Sequence, residues 1–234
     1  MKKGFTLSEV LIALSIVGIV AVLTIPSVMK NYSNRLYVSQ LQKAYNEISE
    51  AAQSIMNDEH TDNFKETLAS AKNPAGCPGD MTKCTEGPMY FLTHYFKSIK
   101  KNCGGTHSDR TCAKHSDFYK SLDNVTLNSL GADSCILTAS GVTICAGYNP
   151  NESVRCLSLL VDVNGLSEPN VAGRDVFSMD VHSNGSLSDW GSACIDNHKG
   201  WGKNSCGIDK NGSLIQAAAG CLNSVIDAGW KIEY

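Results

Sequence analysis

The sequence predicts an α+β chain. A long N-terminal helix, apolar in its first half, packs its second half against a small antiparallel β-sheet with disulfide-rich loops. Three observations carry this. Residues 10–29 contain no charge and are dominated by Leu, Ile, Val and Ala. Apolar residues then continue at helical spacing as far as Ile55. From about residue 134 short extended segments alternate with Asn-Gly turns, and all ten cysteines lie after residue 76.

The opening segment comes first. Lys2, Lys3 and Gly4 precede an apolar run whose length matches the ~20 residues of a bilayer span. Glu9 is the one acid at its front edge, and a carboxylate there is costly unless partnered. Cleavage between Gly4 and Phe5 would create that partner, an amine on Phe5 four residues from Glu9. The two then sit one helical turn apart in one chain, or Glu9 of one copy neutralises the amine of the next. No A-x-A site follows the run, as an ordinary secretory signal would require. Pro26 lacks an N–H and predicts a kink or local unwinding, with Gly18 as a second soft point. Beyond it Tyr37, Leu41, Tyr45, Ile48, Ala52 and Ile55 form an amphipathic stripe, with Lys43, Glu47 and Glu50 off it. At about 1.5 Å per residue the helix over 5–57 would be roughly 80 Å long.

Gly4-Phe5-Thr6-Leu7-Ser8-Glu9, followed by the apolar run, resembles the prepilin signature shared by type IV pilins and type II secretion pseudopilins. The strong resemblance covers roughly the first 55 residues. It implies a leader over 1–4, an assembly helix over 5–57 and a head over 58–234. It also implies that a prepilin peptidase cuts after Gly4 and methylates the Phe5 amine. The precursor would span the cytoplasmic membrane once with its leader inside, in keeping with its two lysines. The mature chain would join a periplasmic or cell-surface filament of pilin-like subunits through an inner-membrane assembly platform. Glu9, Phe5 and Pro26 would be the assembly residues.

Breakers fill 58–80. A short helix is expected over 88–100 from Met89, Leu92, Tyr95, Phe96 and Ile99, then a loop over 102–117. Strands are expected at Cys135–Thr138, Val142–Cys145 and Arg155–Val163, with turns at Asn164-Gly165, Asn184-Gly185 and Asn211-Gly212. The closing Gly229–Tyr234 resembles the final strand of pilin-like heads. Cys77, Cys84, Cys103, Cys112, Cys135, Cys145, Cys156, Cys194, Cys206 and Cys221 form an even set confined to the part expected outside the cytoplasm, which reads as disulfides. Short separations favour Cys77–Cys84, Cys103–Cys112 and Cys135–Cys145. A metal alternative exists at Cys103, His107, Cys112 and His115, in spacings that match no standard zinc finger.

Residues 161–185 also resemble a segment of pilin-like heads. Asp162 and Asn164 leave a strand at a tight turn and Asp175 enters the next, so their oxygens are candidate calcium ligands. The alternative is that they cap their own turns. Net charge is −3, which argues against a general polyanion binder, although Lys97, Lys100, Lys101, Arg110, Lys114 and Lys120 cluster against two acids. That basic stretch is the candidate for DNA or for an acidic patch of a neighbouring subunit, against the plainer reading of a solvated surface. No G-x-S-x-G, H-E-x-x-H or phosphate loop is present, so no enzyme is expected. The competing function is a membrane-tethered extracellular binding module of adhesin or lectin type.

Overall fold

The computed structural model describes residues 4, 6–70, 83–103, 111–132, 134–148, 157–191, 206–207 and 212–234. Phe5, Cys77, His107, Arg110, Cys156, Cys194, Trp201 and Asn211 lie outside them. The chain divides into two compact units, Met1–Leu36 and Tyr37–Tyr234. The division falls within helix α1 (Leu7–Asp58).

In the first unit the helix is unbroken through Pro26, so the unwinding expected there does not occur. The pyrrolidine still leaves the Val22 carbonyl without its usual donor. The hydroxyls of Ser15 and Thr24 donate to the carbonyls of Leu11 and Val20 one turn earlier, which satisfies two polar groups within an apolar helix.

The second unit is built on the other half of α1. Leu41, Ile48, Ala52 and Ile55 of the stripe are fully buried, and Tyr37 and Tyr45 pack partly buried beside them. Helix α2 (Pro88–Tyr95) starts with Gly87 as cap and Pro88 in its first turn, where a missing N–H costs nothing. Its Phe91 and Leu92 are buried, and Phe91 meets Phe64 edge-on at 5.9 Å.

Among the described residues six antiparallel strands follow in sequence order across one sheet: β1 (Ser98–Cys103), β2 (Ser134–Thr138), β3 (Thr143–Tyr148), β4 (Leu157–Asp162), β5 (Val176–Val181) and β6 (Leu187–Asp189). Two short helices close the head, α3 (Leu214–Ala217) and α4 (Cys221–Asp227). The β4–β5 turn requires Gly165: its φ is +62°, and a Cβ there would lie 2.5 Å from the Gly141 carbonyl oxygen.

The central strands of the sheet are buried on both faces. Strands alternate their side chains, so Leu157, Leu159, Val161, Phe177, Met179 and Val181 join the core with α1, α2 and α4. Leu160 and Val176 join a second core with Tyr119, Leu127, Leu130, Leu214 and Ile215. Ser158, Asp162, Ser178 and Asp180 share the second face and are buried too. The sequence suggested an antiparallel sheet packed on the helix, as found; the second core on its other face depends on the loop at 111–132 and on α3, which carry no strong periodicity.

Two local expectations are corrected. The helix expected over 88–100 ends at Tyr95, because Phe96 turns extended (φ −120°, ψ 137°). Ile99 then lies on edge strand β1, 65% exposed. Residues 229–234 form no strand. They are held instead by side chains: Trp230 packs edge-on against Tyr45 at 5.6 Å, and the Tyr234 hydroxyl donates to the Gly173 carbonyl.

Three disulfides are described: Cys103–Cys112, Cys135–Cys145 and Cys206–Cys221. Cys103 and Cys145 each pair with Cys135 in the strand register, so the first two bonds lie side by side in the second core. Joined to each other, Cys103 and Cys112 offer no thiolate to a metal. Cys84 is disulfide-bonded as well.

Candidate functional site

The N-terminal segment is the first candidate. Thr6 immediately precedes α1, and its Oγ1 accepts from the Glu9 backbone N–H at 3.3 Å. Glu9 Oε2 reaches back to accept from the Thr6 N–H and the Thr6 hydroxyl, each at 2.8 Å. This is a capping box, in which two orphan donors of the first turn are satisfied reciprocally. It is written in the sequence as Thr-x-x-Glu before an apolar run. Glu9 therefore has an intrachain partner in the isolated protein. Gly4 is exposed, and a Cβ there would touch nothing within 4 Å. Its smallness is thus not demanded by this chain's own packing.

From Leu7 to Met29 the large apolar side chains are exposed: Leu7 80%, Val22 74% and Leu23 73% among them. The helix is long and apolar enough to cross a membrane, and none of its most apolar window is buried within the chain. Apolar exposure on this scale is expected only of a surface meeting lipid or other protein.

The second candidate is the turn between β4 and β5. Asp162 and Asp175 are buried. Asp162 Oδ2 accepts from the Tyr119 hydroxyl at 3.1 Å, while its Oδ1 and the Oδ1 of Asn164 are both buried without a hydrogen-bond partner. Asp175 has spent both oxygens on backbone N–H groups, of Asn170 at 2.8 Å and Val171 at 2.7 Å. Burial first, and the neighbouring Asp175 carboxylate second, hold Asp162 well above the usual carboxylate range, against the pull of Tyr119. Burial raises Asp175 as well, opposed by the Val171 and Asn170 amides. Asp175 caps its turn, the Asn164 and Gly165 amides pull Asp162 down alongside the Tyr119 hydroxyl, and the Asn164 side chain interacts with Tyr37 and Asp175. The Asp162 and Asn164 side-chain oxygens are of the kind a hard cation takes. Among the described residues no group of three or more His, Cys, Asp or Glu could hold a metal, so further ligands would be carbonyls or water.

The basic stretch is spread out. Lys101 Nζ donates to the Thr93 carbonyl, Lys114 binds Glu168 at 2.6 Å and lies 5.5 Å from the Phe118 ring, and Lys97 faces a different cleft. His115 Nδ1 lies 3.0 Å from Asp117.

Residues 1–25 match the family model described as the prokaryotic N-terminal methylation motif. No curated protein and no solved structure matches the chain.

Proposed function

We propose that this chain, a pilin-like protein bearing the prokaryotic N-terminal methylation motif, is a structural subunit of a type IV pilus-like filament or a type II secretion pseudopilus. The motif over residues 1–25 carries the proposal, and the exposed apolar half of α1 supports it. The work of such a protein is assembly rather than catalysis. Prepilin peptidase removes residues 1–4 and exposes the Phe5 amine. The assembly platform then draws the subunit from the bilayer, and its apolar helix exchanges lipid for the helices of other pilin-like subunits. In that low-dielectric setting Glu9 and a Phe5 amine neutralise each other, which fixes the stagger between copies. Pro26 supplies a helical position with one backbone hydrogen bond already missing, where bending costs least.

Gly4 tests the processing step. Gly4→Val adds a branched side chain at the scissile residue without disturbing any packing. The protein is expected to persist in the membrane with its leader attached, and filaments are expected to be absent. Normal cleavage and normal filaments would remove prepilin peptidase from the pathway.

For the head we propose a calcium ion bound by Asp162 and Asn164, with the Asp175 charge close behind. A hard cation takes oxygen ligands and would offset two buried carboxylates. Saturating calcium at about 100 times its dissociation constant adds about 2.7 kcal/mol, a rise of about 5–10 °C in the unfolding midpoint for a domain of this size. No rise, or an equal rise in Asp162→Asn, would leave these groups as turn caps alone.

A further inference from the structure

A cleft of about 490 Å³, lined by polar and apolar groups alike, opens in the head between α1, the α2–β1 junction and the β2–β3 turn, within the roughly 300–1,000 Å³ typical of small-ligand sites. Helical spacing places Lys43, Glu47, Glu50 and Ser54 along one wall, since they recur at steps of four, three and four. Tyr95, Lys97 and Ser140 stand on the others. Those walls are tied down. The Ala139 N–H donates to the Lys97 carbonyl at 2.8 Å. The Tyr95 hydroxyl donates to Asp58 at 3.2 Å, and its ring stacks on Phe91 at 5.9 Å.

The charges decide what such a cleft takes. Two ammonium and two carboxylate groups cancel, so no net field draws in a polyanion or a polycation. Lys43 and Glu47 pair with each other at 3.8 Å. Glu50 and Lys97 have no ion pair among the described residues and are exposed. The lining therefore offers a free acceptor, a free donor, hydroxyls that do both, and an aromatic edge beside them. A neutral, hydroxyl-rich molecule with one C–H face matches that set. A single-sign ligand would meet as much repulsion as attraction.

We propose that this cleft binds a short neutral saccharide, with Glu50 and Lys97 orienting its hydroxyls and Tyr95 and Phe96 forming the apolar wall. The test is saturation-transfer NMR on the full chain in lauryldimethylamine oxide, a detergent without a sugar headgroup. The probes are cellobiose, maltose and N,N′-diacetylchitobiose, with the zwitterionic dipeptide Gly-Gly for comparison. At least one disaccharide is expected to receive saturation at its ring protons. Its affinity is expected to fall tenfold or more in Glu50→Gln, and its signal to vanish in Ser54→Trp, which fills the cleft from an exposed position. Unchanged unfolding midpoints in both variants exclude a folding defect. Silence from all three sugars, transfer to Gly-Gly alone, or undiminished binding by Ser54→Trp would overturn the assignment.

Discussion

Glu9→Gln and Glu9→Ala are both expected to insert in the membrane and both to fail in filament assembly. The pair separates two roles that the geometry gives one carboxylate. In the isolated chain Glu9 closes a capping box with Thr6 at 2.8 Å, and glutamine serves in that position as well as glutamate. Alanine loses the Glu9 half of the box but keeps the bond from the residue-9 N–H to Thr6, so it costs less than the about 1 kcal/mol of losing the N-cap itself. Losing the charge is far more severe in a filament, because a terminal amine buried without its counter-ion costs about 3–5 kcal/mol at every subunit contact. Repeated along a filament, that is enough to prevent growth. Pull-down of sheared filaments, scored against membrane-retained protein, gives the readout. Assembly by the glutamine variant but not by the alanine variant would make the capping box the essential feature and discard the ion pair.

The second large effect concerns the head and pH. Asp189 is fully buried on β6, and its two oxygens accept from the N–H groups of Gly220 at 2.7 Å and Asn223 at 2.9 Å, at the start of α4. Burial pushes its carboxyl up to about 7, against the pull of those amides, and the Asp180 carboxylate adds to the rise. A raised carboxyl binds its proton more tightly folded than unfolded. Its contribution is therefore complete below the unfolded value of 3.8 and is lost as pH climbs through about 7. One such group changes stability by about 4 kcal/mol across that window, at about 1.4 kcal/mol per pH unit. The raised Asp162 and Asp175 act in the same direction. Urea unfolding from pH 4 to pH 8 is expected to show stability falling as pH rises, with a shallower fall in Asp189→Asn. A stability that rises over this range, or an unaltered slope in the variant, would contradict this assignment. Asp189→Ala removes the acceptor altogether and strands two buried N–H groups, at about 1–3 kcal/mol each.

What the sequence made legible follows from the range of each signal. The stripe from Tyr37 to Ile55 and the turn at Asn164-Gly165 are local patterns, and the structure places both where the pattern does. Strand β1 was hidden because Ser98-Ile-Lys-Lys-Asn-Cys is an edge strand. Its lysines protect an open edge, while Ile99 continues the spacing of the preceding helix. The second core was hidden because its sheet face carries the polar residues Ser158, Asp162, Ser178 and Asp180, which are buried all the same, Asp162 against Tyr119 of the loop at 111–132 and Asp180 against Ser158 and Gly191. Asp189 gave no signal at all, since the helix it caps begins more than thirty residues later. The capping box at Thr6 is local, and Thr-x-x-Glu ahead of an apolar run is its signal.

The most direct measurement is intact mass with N-terminal peptide sequencing of the protein recovered from its native cell envelope. The result expected is a mature chain that begins at N-methylated Phe5, having lost residues 1–4, with a mass deficit that also counts its disulfides. A chain still beginning at Met1 in cells with active prepilin peptidase, or one beginning beyond Pro26, would contradict assembly through the N-terminal helix.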